Sequence, residues 1–185
     1  MGEVANMTMK ELQQLIRRTY CAILNVDEQS TMIRTTYNTD GQLAFGIHDD
    51  VLIMSIEEAD DTYGRYRQYE QRAVGDSNYR DHVGTRVWNV RITAYGPNSH
   101  DNLDSIRSGV LTYTSMSILS PNDVYIVPEI PRIQRSPEQF NGQWYERSDM
   151  TLKYNELYIF EEYTGRVDTV VIQPITGSEK EEGGN

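Results

Sequence analysis

Between residues 9 and 23, Met9, Leu12, Leu15, Ile16, Tyr20 and Ile23, with Thr19 among them, recur at spacings of three and four. That period predicts an amphipathic helix. Thr8 with Glu11 three places on forms a capping box, and Asn25 supplies a stop. Farther along, the period becomes two. In "RVWNVRITAY" (86–95), Trp88, Val90, Ile92 and Ala94 point one way and Asn89, Arg91 and Thr93 the other, the mark of a half-buried strand. "QWYERSDMTLKYNELYIF" (143–160) sets Met150, Leu152 and Tyr154 against Thr151, Lys153 and Asn155, and reads as one long strand.

Shorter strands are expected in "TMIRTTY" (31–37), before the turn "NTDGQ", and at Val51–Ile56. "DVYIVPEI" (123–130) is a strand ended by proline, and "RVDTVVIQPI" (166–175) is a last strand after a turn at Gly165. A second helix follows Pro97 and buries Leu103, Ile106, Val110 and Leu111. Residues 62–85, "TYGRYRQYEQRAVGDSNYRDHVGT", hold almost no aliphatic side chains and read as a long loop or projecting hairpin. The order of elements predicts an α+β fold: a mainly antiparallel sheet with two helices packed on one face. One domain over residues 1–175 and a flexible acidic tail over 176–185 are expected.

The strand–turn–helix at "YGPNSHDNLD" (95–104) has the layout of a phosphate-binding loop but not its chemistry. It has one glycine and no lysine, and Asp101 and Asp104 repel an incoming phosphate. Asn98 and Ser99 suit an N-cap and Pro97 fixes the entry, so the turn starts a helix. His48, His82 and His100 sit in loops or at a helix start without a second ligand at metal spacing. Cys21, the only cysteine, lies in the helical apolar pattern and reads as a small core residue. Carboxylate pairs at Asp49–Asp50, Glu57–Glu58, Asp60–Asp61 and Glu161–Glu162 fall where solvated acids collect. No enzyme, cofactor or metal is predicted.

Charge and tyrosine content narrow the picture. The formal charge of −11 argues against an electrostatic grip on nucleic acid. No apolar run has transmembrane length, and the opening residues lack a signal peptide's regions. Met-Gly at the start is followed by Asn6 where myristoylation wants Ser or Thr. The expected place of action is the cytoplasm or a particle assembled there. Tyrosine occurs 13 times. Tyrosines within strands need no further explanation. Arg65, Tyr66, Arg67 and Tyr69, on a segment without a core of its own, point to a protein interface.

"RVWNVRITAYGPNSHDNLDSIRSGV" and, about thirty residues on, "SPEQFNGQWYERSDMTLKYNE" resemble the bacteriophage neck and tail-terminator (tail-completion) proteins. So does "DGQLAFGIHDDVLIMSIEEADDTYGRYRQ" before them, and the resemblance covers residues 8–173. Tyr95–Pro97, Asn141–Trp144, Glu146, Arg147 and Asp149 carry it. The resemblance implies an α+β virion protein that forms a hexameric ring on the tail tube, stops its growth and joins it to the neck connector. Genomic DNA then passes through the centre without specific binding, which an acidic lumen favours. Expected partners are further copies of the chain, the tail-tube protein and neck proteins. Asn141, Trp144, Tyr145 and Arg147 join the interface set, with Trp144 open between anchor and core. The alternatives are another virion connector (head-completion or baseplate) and a carboxylate-based hydrolase.

Overall fold

A computed structural model describes residues 6–35, 45–140 and 142–165. Helix α1 (Met9–Leu24) opens on the predicted capping box: Thr8 Oγ1 accepts from the Glu11 amide at 3.3 Å, and Glu11 Oε2 accepts from the Thr8 amide at 2.8 Å. Strands β1 (Ile33–Thr35) and β2 (Val51–Glu58) follow, then a single turn α2 (Thr62–Arg65). Strands β3 (Arg67–Val74) and β4 (Ser77–Tyr95) form a hairpin closed by Gly75 and Asp76. Gly75 has φ +60°, where two-residue hairpin loops favour glycine.

Helices α3 (Ser99–Gly109) and α4 (Tyr113–Leu119) lead through the short turn Ser120–Asn122 to β5 (Val124–Ile126) and β6 (Gln134–Arg135). A small hairpin, β7 (Glu138–Phe140) with β8 (Gln143–Tyr145), precedes the 19-residue β9 (Arg147–Gly165).

The main sheet runs β1-β2-β4-β9-β5, with β3 beside β4 and β6 beside β9. Only the β1–β2 contact is parallel among the described pairs. On one face Leu52 and Met54, then Trp88, Val90, Ile92 and Ala94, then Met150, Leu152 and Tyr154 join α1, α3 and α4 in one buried cluster. Each large side chain there contributes roughly 1.5–3 kcal/mol on leaving water. Tyr20 of α1 and Tyr154 of β9 satisfy each other inside the core, their hydroxyls 3.0 Å apart. Burial pushes both phenols above their ordinary pKa. Cys21 is buried too, and burial raises its thiol, as suits a packing residue.

The α+β class and the alternation of β4 and β9 follow the sequence. Several details differ. Residues 62–85 form α2, β3 and the outer part of β4, so the predicted 86–95 strand is the inner half of a 19-residue one. The expected single strand over 143–160 breaks at Glu146: residues 143–145 pair with β7, and β9 starts at Arg147. Leu111 lies past the end of α3 and is 50% exposed, not buried. The Asn98 side chain makes no cap. Its backbone N–H and Nδ2 instead donate to the Asp50 carboxylate, at 3.0 and 2.7 Å. Helix α4, short and without a clear period, went unpredicted. His82 lies within β4, not in a loop. The strand expected over 166–175 and the 176–185 tail fall outside the described residues.

Candidate subunit interface

Strands β4 and β9 stay paired from Tyr95↔Arg147 to Asn78↔Gly165, about 60 Å at the usual strand rise. Their inner half borders β2, through Val51↔Tyr95 to Glu58↔Trp88. Their outer half borders β3 instead, through Arg67↔Gly84 to Val74↔Ser77. The outer half is therefore a three-stranded arm, β3-β4-β9. The helices cover the inner half, and the buried cluster includes no residue of β3.

One face of the arm carries an aromatic row across all three strands. Tyr69, His82 and Phe160 are register partners, with ring centroids 4.8 Å and 5.7 Å apart in edge contacts. His82 Nε2 donates to Glu162 at 2.8 Å, and this bond holds the Glu162 carboxyl below its ordinary range. On the other face Arg72 Nε donates to Asp81 at 3.0 Å, Arg72 Nη2 pairs with Glu161, and the guanidinium lies over the Tyr79 ring. Tyr69, Val74, Leu157, Phe160 and Tyr163 are exposed on the arm.

A buried ion pair marks the junction between arm and core. Glu156, 2% exposed, accepts from Arg86 Nη2 at 2.5 Å and from Trp88 Nε1 at 2.7 Å. The same Arg86 nitrogen donates to the Met7 carbonyl at 3.0 Å. The guanidinium is sandwiched near the Trp88 and Tyr158 rings. Neither Glu156 nor Arg86 stands out in the sequence; the signal was an acid in the inward register of an otherwise apolar strand.

The predicted interface residues fall into two separate sets. Arg65, Tyr66, Arg67 and Tyr69 gather where α2 leads into the arm. Arg65 pairs with Asp60, Arg67 Nη1 donates to the Gly64 and Tyr66 carbonyls, and Tyr66 and Tyr69 are exposed. Trp144, Tyr145 and Arg147 lie at the opposite end of the sheet, and Asn141 lies outside the described residues. Gly84 and Tyr95, the β4 partners of Arg67 and Arg147, are separated by about 37 Å at the usual rise.

Trp144 is 67% exposed, which removes the core alternative. Arg147 is engaged within the chain. Its Nη1 donates to Glu138 at 2.7 Å, its Nε and Nη2 to Asp149 at 3.0 and 3.1 Å, and its guanidinium sits over Tyr95. Hydrogen bonds to Asp149 and Glu138 push its pKa up. Arg147 and Tyr95 in turn hold Glu138 down, and burial with the Glu138 hydrogen bond lifts Tyr95 to about 12. Arg147 thus fastens the small hairpin that presents Trp144. Tyr145 packs edge-on against Phe45 and Tyr95.

Among the described residues no three His, Cys, Asp or Glu side chains group as metal ligands, and no helix is long and apolar enough to cross a membrane. What the described surface offers is exposed aromatic and arginine side chains on projecting strands.

The sequence matches the phage neck terminator protein family over residues 9–182, nearly its whole length. The chain belongs to that family. No curated protein matches it. Membership makes this a structural protein of the phage neck and tail terminus, a role in which exposed arms and aromatic edges have a use.

Proposed function

We propose that the chain assembles with itself into a ring, six-membered in the simplest case, that caps the tail tube, ends its polymerisation and joins it to the neck connector. The observation that carries this reading is the family match over residues 9–182. The arm supports it physically. Among the described residues no second layer covers the arm, and such a sheet has little reason to persist alone and gains one when neighbours pack on it. A closed ring requires a heterologous contact, one patch on a different patch of the neighbour. The two separated sets of interface residues would supply two such patches: Arg65, Tyr66, Arg67 and Tyr69 at the arm, and Trp144 with Tyr145 on the hairpin that Arg147 holds.

The role is geometric, without catalysis or cofactor, and the site of action is the virion neck after assembly in the host cytoplasm. The charge of −11 suits a lumen through which DNA moves without being held. The test is the mass of the purified protein with and without tail-tube protein, followed by imaging of the largest species. Rings, or caps on shortened tubes, support the reading. A monomer that leaves tube length unchanged defeats it and favours a head-side connector.

A further inference from the structure

We infer that the arms of neighbouring copies join edge to edge, the outer edge of β3 in one copy pairing with the outer edge of β9 (Glu161–Gly165) in the next. This rests on the ring reading above. In the order β3-β4-β9, the strands β3 and β9 flank β4 on opposite sides. Among the described residues no strand pairs with the outer edge of β3, or with that of β9 beyond Glu156. The Leu157 N–H donates to the Asp123 carbonyl at 3.0 Å and the Ile159 N–H to Asn6 Oδ1 at 3.1 Å, so the open stretch of the β9 edge is Glu161–Gly165. Two different edges on opposite sides of one subunit are what a head-to-tail ring uses.

Direction and charge agree with this pairing. Both β3 and β9 run antiparallel to β4, so they run parallel to each other. Rotation about an axis along the arms keeps every arm pointing the same way, and each junction is then a parallel pair, evenly hydrogen-bonded. Strand β3 carries Arg67 and Arg72 against Glu70, whereas Leu157–Gly165 carries Glu161 and Glu162 and no basic residue. A slightly basic edge meets an acidic one. The aromatic row Tyr69–His82–Phe160 reaches both edges and would continue from copy to copy. Six arms give about eighteen strands, the size class in which closed sheets enclose a water-filled channel.

The alternative for such an edge is protection by charge, which keeps it from pairing at all. Amide hydrogen exchange on the full chain, before and after ring formation on tail-tube ends, separates the two. Edge pairing predicts that the outward amides of Arg67–Val74 and Glu161–Gly165, those not bonded to β4, exchange freely in the monomer and slow on the order of a hundredfold in the ring. Glu70→Pro and Gln71→Pro sharpen this, because neighbouring residues of a strand aim their N–H groups to opposite sides. One variant removes a bond to β4. The other removes only an outward donor, and should melt like the wild-type monomer yet fail to form rings.

Rings that form without added protection, or that form equally well with both proline variants, overturn the edge pairing and leave the ring standing. Outward amides of Glu161–Gly165 already protected in the monomer also overturn it, since that edge would be occupied within one chain. A protein that never assembles, alone or on tube ends, overturns the ring and the pairing together.

Discussion

Strands β4 and β9 pass through two environments without interrupting their ladder. In the inner half their shared face carries Trp88, Val90, Ile92 and Ala94 against Met150, Leu152 and Tyr154, all buried under helices. In the outer half the same face carries His82 and Arg80 against Phe160 and Glu162, and nothing among the helices covers it. The ladder keeps one register from Tyr95↔Arg147 to Tyr79↔Tyr163 and shifts only at Asn78 near the tip, so the backbone does not distinguish core from arm at their junction. Burial does. The inner half is held by apolar area removed from water, the outer half by cross-strand pairs worth a few tenths to about 1 kcal/mol each.

The junction between the halves is the place to break this division. Glu156→Ala leaves the Trp88 N–H without its acceptor and Arg86 without its carboxylate partner, and should cost about 3–5 kcal/mol, read from denaturant unfolding. Burial costs set the next contrast. Leu152→Ala should lose about 2–5 kcal/mol, while Phe160→Ala on the arm should cost the monomer less than about 1 kcal/mol. If the two substitutions cost the same, the arm has a core of its own and the comparison fails. Phe160→Ala should nevertheless reduce ring formation, measured by the mass of the assembled species.

A smaller effect is expected where α3 meets α1. A Cβ on Gly109 would lie 2.3 Å from Cγ2 of Ile23, so Gly109→Ala should cost about 1–3 kcal/mol by overpacking. Its thermal shift should appear in the helical signal.

The smallest effect concerns pH at the Trp144 hairpin. The folded pKa of Glu138 is lowered by Arg147 and then Tyr95, so its contribution is present above the ordinary carboxylate value and is lost as pH falls through the lowered one. Tyr95 is raised from its ordinary value to about 12, so its contribution is present below that ordinary value and is lost as pH climbs toward about 12. A melting-temperature difference between wild type and Glu138→Gln should be seen at neutral pH and close in acid. A difference that persists in acid would mean the carboxylate does not hold the hairpin.

Much of the inner half was legible because its signals are local. The capping box at Thr8 and Glu11, the 3.6 period of α1 and the alternation through Ala94 each declare an element within a dozen residues. The arm was less legible. Its strands lack aliphatic alternation, so residues 62–85 read as a loop or a projecting hairpin with no choice between them. For the candidate site, the sequence placed Tyr66 and Tyr69 at an interface and left Trp144 open between anchor and core; all three are exposed. That Arg147 lies between Glu138, Asp149 and Tyr95 was not legible, because it is a matter of long-range placement.

Sequence by itself determined the class of fold, the identity of α1, the inward face of β4 and β9, and the family, since each depends on residue type and spacing along the chain. Tertiary structure decided that β4 and β9 extend as one ladder beyond the core, that Glu156 is buried with Arg86, and that Arg147 is bound internally while Trp144 is free. Those facts depend on which distant segments lie beside one another, and a side chain's environment is a property of its neighbours in space.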